Sequence, residues 1–258
     1  MKAIYQPTVN NFTNMPYRRL PNTDSARLKS LKAAYEKGKE LPPFKLAFSA
    51  NSFRNMQKVL PQFENAIYEH KNSLNIQAEK NKEYQRRLKK VRIYISHFIQ
   101  VVNLAIVRGD LLSETRNYFG MEEEEKKVPN LITEEDVILW GNKLIDGEQK
   151  RRNKGMNPIT NPTIAVLKVH FDKFMEYHNY QQSLKNRSQR AQDQLNERRT
   201  QVDGVIQQIW NEVESSFGDL PEEMRREKAT GYGLVYVFRK NEISNSTLFQ
   251  SPRIEEIG

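Results

Sequence analysis

From Pro61 to Val107 the chain carries no glycine and no further proline, and a row of positions recurs at alternating steps of three and four. That row is Ile67, His70, Leu74, Gln77, Asn81, Tyr84, Leu88, Val91, Ile95, Phe98, Val102 and Ala105. It has the heptad spacing of a coiled-coil seam and predicts one long helix over 61–107, opened by Pro61 in its first turn and stopped by Gly109. A second row runs from Ile164 through Leu167, Phe171, Phe174, His178, Gln181, Lys185, Ser188, Gln192, Leu195, Arg199, Val202, Ile206 and Ile209 to Val213. It predicts a helix over 161–217, with Asn161 as cap, Pro162 at the first helical position, Gly204 as a weak point and Gly218 past the end. Both rows are apolar at their ends and polar in the middle, so reversing one matches like with like. An antiparallel pair follows, a dumbbell with one cluster joining Leu88–Ile106 to Ile164–Phe174 and another joining Phe63–Leu74 to Leu195–Phe217.

The flanking segments supply cover for these clusters. Residues 1–22 hold Pro7, Pro16 and Pro21 and read as an extended arm. A helix capped at Thr23 or Asp24 runs to a stop at Gly38, Phe44–Phe48 alternates like a short strand, and a brief helix runs from Ser49 or Ser52 to about Leu60. Thr133 and Asp136 form a capping-box pattern ahead of Val137, Ile138, Trp140, Leu144 and Ile145, a stripe suited to covering the distal cluster. A short helix from Leu220 through Ala229 stops at Gly231, and Leu234–Phe238 reads as a strand. Its expected partner is Phe44–Phe48, with Ile4 and Tyr5, or the N-terminal arm, as the alternative. The fold class is therefore mainly α: an elongated antiparallel hairpin or bundle of two long helices, short covering helices, and a small β element near the termini. Its organisation is expected as 1–60 (arm, short helix and strand), 61–217 (hairpin with a distal insert at 110–160) and 218–258 (short helix, strand and flexible tail).

Composition narrows the function classes. Apolar residues make up 37% of the 258 positions and charged ones 28%, little core for a sphere of this size, yet 12 Phe and 11 Tyr argue against disorder. With no cysteine, disulfides and thiolate metal sites are excluded, and a cytoplasmic setting is expected. The N-terminal stretch lacks the pattern of a signal peptide, and the longest nearly apolar run, Val101–Val107, is interrupted by Asn103, so no membrane span is expected. The net charge of +9 concentrates at Lys71–Arg92, where eight basic residues face two acidic ones for a net +6, and Lys185–Arg199 adds a net +3. Lys82, Arg86, Arg87, Lys89, Lys90, Lys185, Arg187 and Arg190 are the candidate contacts for phosphate or an acidic partner, with Tyr84 as a possible stacking ring.

Catalytic signatures do not emerge. The four histidines, His70, His97, His170 and His178, lack the acidic residue three positions earlier of helical di-iron sites and the four-residue pairing of metalloproteases. His97 and His170 are expected within about a turn of each other, but without a carboxylate pair they make a poor metal site. No phosphate-cradling glycine loop or Gly-x-Ser-x-Gly elbow occurs, and Glu122–Glu125 reads as solvated surface. The runs LPNTDSARLKSLKAAYEKG (20–38) and LPEEMRREKATGYGLVYVFRKNE (220–242), flanking two long helices, resemble a group of bacterial all-helical proteins with no assigned activity. The resemblance implies a helical fold and carries over no functional residue. The expectation is a non-enzymatic scaffold or interaction protein without metal or cofactor, self-associating or docked in a larger assembly. The alternative is a nucleic-acid-associated protein that uses the basic patch.

Overall fold

The computed structural model describes residues 16–237. Its elements in order are β1 (Tyr17–Arg18), α1 (Asp24–Glu40), a 3₁₀ turn (Pro43–Lys45), α2 (Ala50–Val107), α3 (Thr115–Tyr118), α4 (Glu134–Asn153), α5 (Ile164–Ser216), α6 (Glu222–Thr230) and β2 (Tyr236–Val237). The fold is mainly α, with two long helices packed on each other and a two-stranded antiparallel sheet. Gln77 meets Ser188, Tyr84 meets His178 and Tyr94 meets His170, so numbering falls along α2 as it rises along α5: the pair is antiparallel. The described residues divide into two compact units, 16–68 with 193–237, and 69–192.

In the first unit Leu31, Phe48, Met56, Phe63, Leu195, Val202, Ile206, Trp210 and Val213 form the core. Thr23 caps α1 as its side chain accepts from the Ala26 amide at 3.2 Å. Asp24 takes a bidentate pair from Arg199 at 2.8 and 2.6 Å, while Arg27 reaches Asp203 at 2.7 Å, tying α1 to α5 through partly shielded charges. The buried Trp210 indole donates to Ser30 at 3.1 Å, which removes the cost of an unsatisfied N–H. Gly233, at φ +87, lies so close to Ser30 that a Cβ would sit 2.6 Å from its carbonyl oxygen.

The structure departs from the sequence expectations at several points. Phe44–Phe48 is not a strand: Pro42 and Pro43 remove two backbone donors, the chain turns as a 3₁₀ helix, and Phe44 is exposed while Ala47 and Phe48 enter the core. β2 instead pairs with the N-terminal arm, Tyr17 opposite Val237 and Arg18 opposite Tyr236. Ile4, Tyr5, Phe238 and the tail lie outside the described residues. The helix does not begin at Pro61. Ser49 caps it, accepting from the Ser52 amide at 3.2 Å, and α2 passes through Pro61, where both the proline and Gln57, the residue whose helical acceptor it leaves unpaired, are exposed. Gly38 is not a stop; it sits inside α1 beneath Phe53, whose ring would lie 2.2 Å from a Cβ. Asn161 is not the cap of α5, for it adopts φ 58 and the helix starts at Ile164, behind Thr163.

Glu212 anchors the start of α2, accepting from the Ser49 amide at 2.7 Å and the Ser52 hydroxyl at 2.8 Å, with Gln208 at 3.1 Å. Burial alone would raise its pKa, but these hydrogen bonds outweigh it and hold the carboxyl below its ordinary 4.5. A carboxylate with a depressed folded pKa stabilises above its unfolded value and loses that stabilisation as pH falls through the folded one. Glu212→Gln should therefore destabilise the protein at neutral pH, and the gap to wild type should close below pH 4.5, as urea midpoints across pH will read.

In the second unit the heptad positions Tyr84, Leu88, Val91, Ile95, Phe98 and Val102 are buried against Leu167, Phe171 and Phe174, and Val137 and Leu144 of α4 cover them as the stripe predicts. The Thr133–Asp136 capping box is present. One corner is closed by buried charge. Arg116, 2% exposed, donates to Asn103 Oδ1 at 2.9 Å and the Glu123 carbonyl at 2.6 Å. Glu148 and Arg151 pair at 2.6 Å at 0% and 1% side-chain exposure, and Glu148 also accepts the Ile159 amide at 2.8 Å. Beside them Gly147 packs directly on the backbone of Tyr118. By contrast Gly204 on α5 faces open space, so Gly204→Ala should stabilise by about 0.5–1 kcal/mol, seen as a raised urea midpoint with an unchanged slope.

Candidate functional site

The eight cations singled out from the sequence all fall in the second unit, five on α2 and three on α5, but they do not form one surface. Lys82, Arg86 and Lys89 are exposed and, at 100° per residue, fall on the outer arc of α2. Lys185, Arg187 and Arg190 are exposed on α5, and Arg187 reaches Glu69 at 3.8 Å. Glu83 holds both Arg86, at 3.0 Å, and Arg87, at 2.7 Å. Only Arg87 and Lys90 turn toward α5. The Arg87 guanidinium lies over the Tyr177 ring at 5.4 Å, and Lys90 lines a cleft of about 550 Å³ with Ile93, Tyr94, His97, Asn161 and Pro162.

Tyr84 is not available for stacking, because its seam position turns it into the helix pair, 4% exposed, against Phe174 at 6.1 Å and His178 at 6.4 Å. Burial, and then the Glu134 carboxylate, push the phenol pKa above its ordinary value, yet its hydroxyl makes no hydrogen bond of good geometry. The rings that do face the cleft side are others. Tyr94 lies against His170 with centroids 4.1 Å apart, and Tyr177 carries Arg87 on one approach and Lys173 on another, at 5.5 Å. A second open cleft of about 420 Å³ is lined by Lys80, Glu176, Tyr177 and Tyr180.

These residues share a spacing that sequence reading passed over. Lys80, Arg87 and Tyr94 are seven apart on α2, His170 and Tyr177 seven apart on α5, and Lys173 and Tyr180 likewise. Such positions flank the seam on one side, so the packing that buries the seam lines them up along the helix pair. The His170 pKa is lowered, first by burial and then by the Lys90 and Arg87 charges, so the imidazole is neutral at neutral pH in a positive local field. Among the described residues no group of three or more His, Asp or Glu is placed to hold a metal ion. No family model, curated protein or solved structure matches this chain.

Proposed function

We propose that the chain is a non-enzymatic helical interaction protein, cytoplasmic and without cofactor, that self-associates or docks in a larger assembly. The observation that carries this reading is apolar surface on the two long helices in the second unit. Ile93 (57%), Leu104 (55%) and Val107 (70%) on α2, with Val169 (66%) on α5, are exposed well beyond what a helix needs for its own core. An 18-residue stretch of α2 is apolar enough by length and composition to span a membrane, with mean hydropathy 1.2. We assign its apolarity to protein contact instead, because α2 supplies Val91, Ile95, Phe98, Ile99 and Val102 to a packed core while other apolar positions face outward.

The test is the mass in solution of the wild type and of the Ile93→Asp/Val169→Asp double variant. An oligomer or assembly that the double substitution dissolves, at a melting temperature close to wild type, supports the reading. A wild type monomeric at every concentration, with a variant unchanged in both mass and solubility, overturns it.

A further inference from the structure

The side of the α2–α5 pair that presents Tyr94, His170, Arg87 and Tyr177 forms a line in which rings and cations alternate. From Lys80 to His97 it spans 17 residues of α2, about 25 Å at 1.5 Å per residue. Along it lie the Lys80–Tyr177–Tyr180 cleft, the Arg87–Tyr177 and Lys173–Tyr177 pairs, and the Lys90–Tyr94–His97 cleft. Three of its cations are matched by neighbouring carboxylates: Lys80 by Glu79, Arg87 by Glu83, and Lys173 by Glu176. Lys90 has no such partner among the described residues and lines one cleft together with Tyr94 and His97.

We propose that this ring-and-cation groove of the second unit binds single-stranded nucleic acid, with Tyr94 and Tyr177 stacking on bases and Lys90 and Arg87 contacting phosphates. Aromatic faces interleaved with cations form the surface that holds a single strand without reading its sequence. A duplex fits poorly, since its bases are already stacked and paired and the half-buried ring faces lie between two helices whose axes are about 8–10 Å apart. An acidic peptide would use the cations but leave the rings without a partner of matching shape. Of the outward apolar positions only Ile93 borders this groove, at the Lys90 cleft, while Leu104, Val107 and Val169 line neither cleft, so the Lys90 and Tyr177 variants test binding apart from self-association.

Fluorescence anisotropy with labelled oligo-dT and oligo-U, a blunt duplex of equal length, and polyglutamate as competitor tests it across a salt series. Single strands should bind more tightly than duplex. Tyr94→Leu and Tyr177→Leu should each weaken binding about tenfold while leaving the salt slope unchanged. Lys90→Gln should reduce that slope by about 0.7, and Lys89→Gln, on the outer arc, should change it less. Absence of binding at low salt, equal affinity for duplex, full displacement by polyglutamate, or ring variants indistinguishable from wild type would each overturn the proposal, the third pointing to an acidic protein partner. Melting curves accompany every variant, and Lys90→Gln, a fully surface change, keeps the test valid should a ring variant misfold. Mass measured on the same samples separates the outcome here from that of the assembly reading.

Discussion

Replacing Gly147 by alanine should cost about 3 kcal/mol or more, although the same substitution at Gly204 stabilises. On α4 the added Cβ would stand 2.4 Å from the Tyr118 carbonyl oxygen and 2.7 Å from the Phe119 ring. The first of these is backbone at the end of α3, which cannot rotate aside as a side chain would, so α4 must lift from the corner it closes. Phe119 is fully buried in the second core, so the shift spreads into packed material. The expected result is a melting temperature lower by roughly 6–12 °C, and a variant melting within about 2 °C of wild type would refute the close approach. Gly141→Ala presents a milder case, because there the obstacle is the Phe171 ring, a side chain that has other rotamers.

Arg151→Met should be comparably severe, at about 3–5 kcal/mol, because it strands the Glu148 carboxylate at 0% side-chain exposure. The carboxylate keeps one partner, the Ile159 amide at 2.8 Å, which is too little for a buried charge. Glu148→Gln tests the other half: it leaves Arg151 beside Phe119 with the Asn157 carbonyl at 3.3 Å and a neutral amide. If the two charges chiefly compensate each other, the double variant loses less than the sum of the single ones. A double-mutant cycle by urea unfolding should give a coupling above about 1 kcal/mol. Additive losses would show that each residue acts through its backbone contacts alone.

Heptad spacing made the two long helices, their antiparallel order and their two apolar clusters legible, because burial of the seam is what drives that pairing. Local chemistry did the same for the Thr23 cap and the Thr133–Asp136 box. Prolines and glycines misled where they serve tertiary packing rather than chain breaking. Pro61 is tolerated on a solvent face, Gly38 makes room for Phe53, and Pro42–Pro43 turn an alternating stretch into a 3₁₀ bend. Buried charge was illegible altogether, since Arg116, Glu148 and Arg151 resemble any other solvated residue until the corner that encloses them is folded. At the candidate groove the charge excess was visible. Which cations share a side with rings required the seam-flanking spacing, and Tyr84 was assigned to stacking although its seam position buries it.

The first unit is discontinuous along the chain, and that imposes an order of events during synthesis. Arg27 and Asp203 are separated by 176 residues, and the core halves they fasten lie on either side of residues 69–192. At about 5–20 residues per second the ribosome needs roughly 10–35 s to deliver Asp203 after Arg27 has been made. During that interval Leu31, Met56 and Phe63 lack Val202, Ile206 and Trp210, while residues 69–192 are completed in full. The stretch around Leu31 to Phe63 thus waits for its core while the whole of residues 69–192 is made, and its apolar faces stand open to any chaperone or protease throughout that interval.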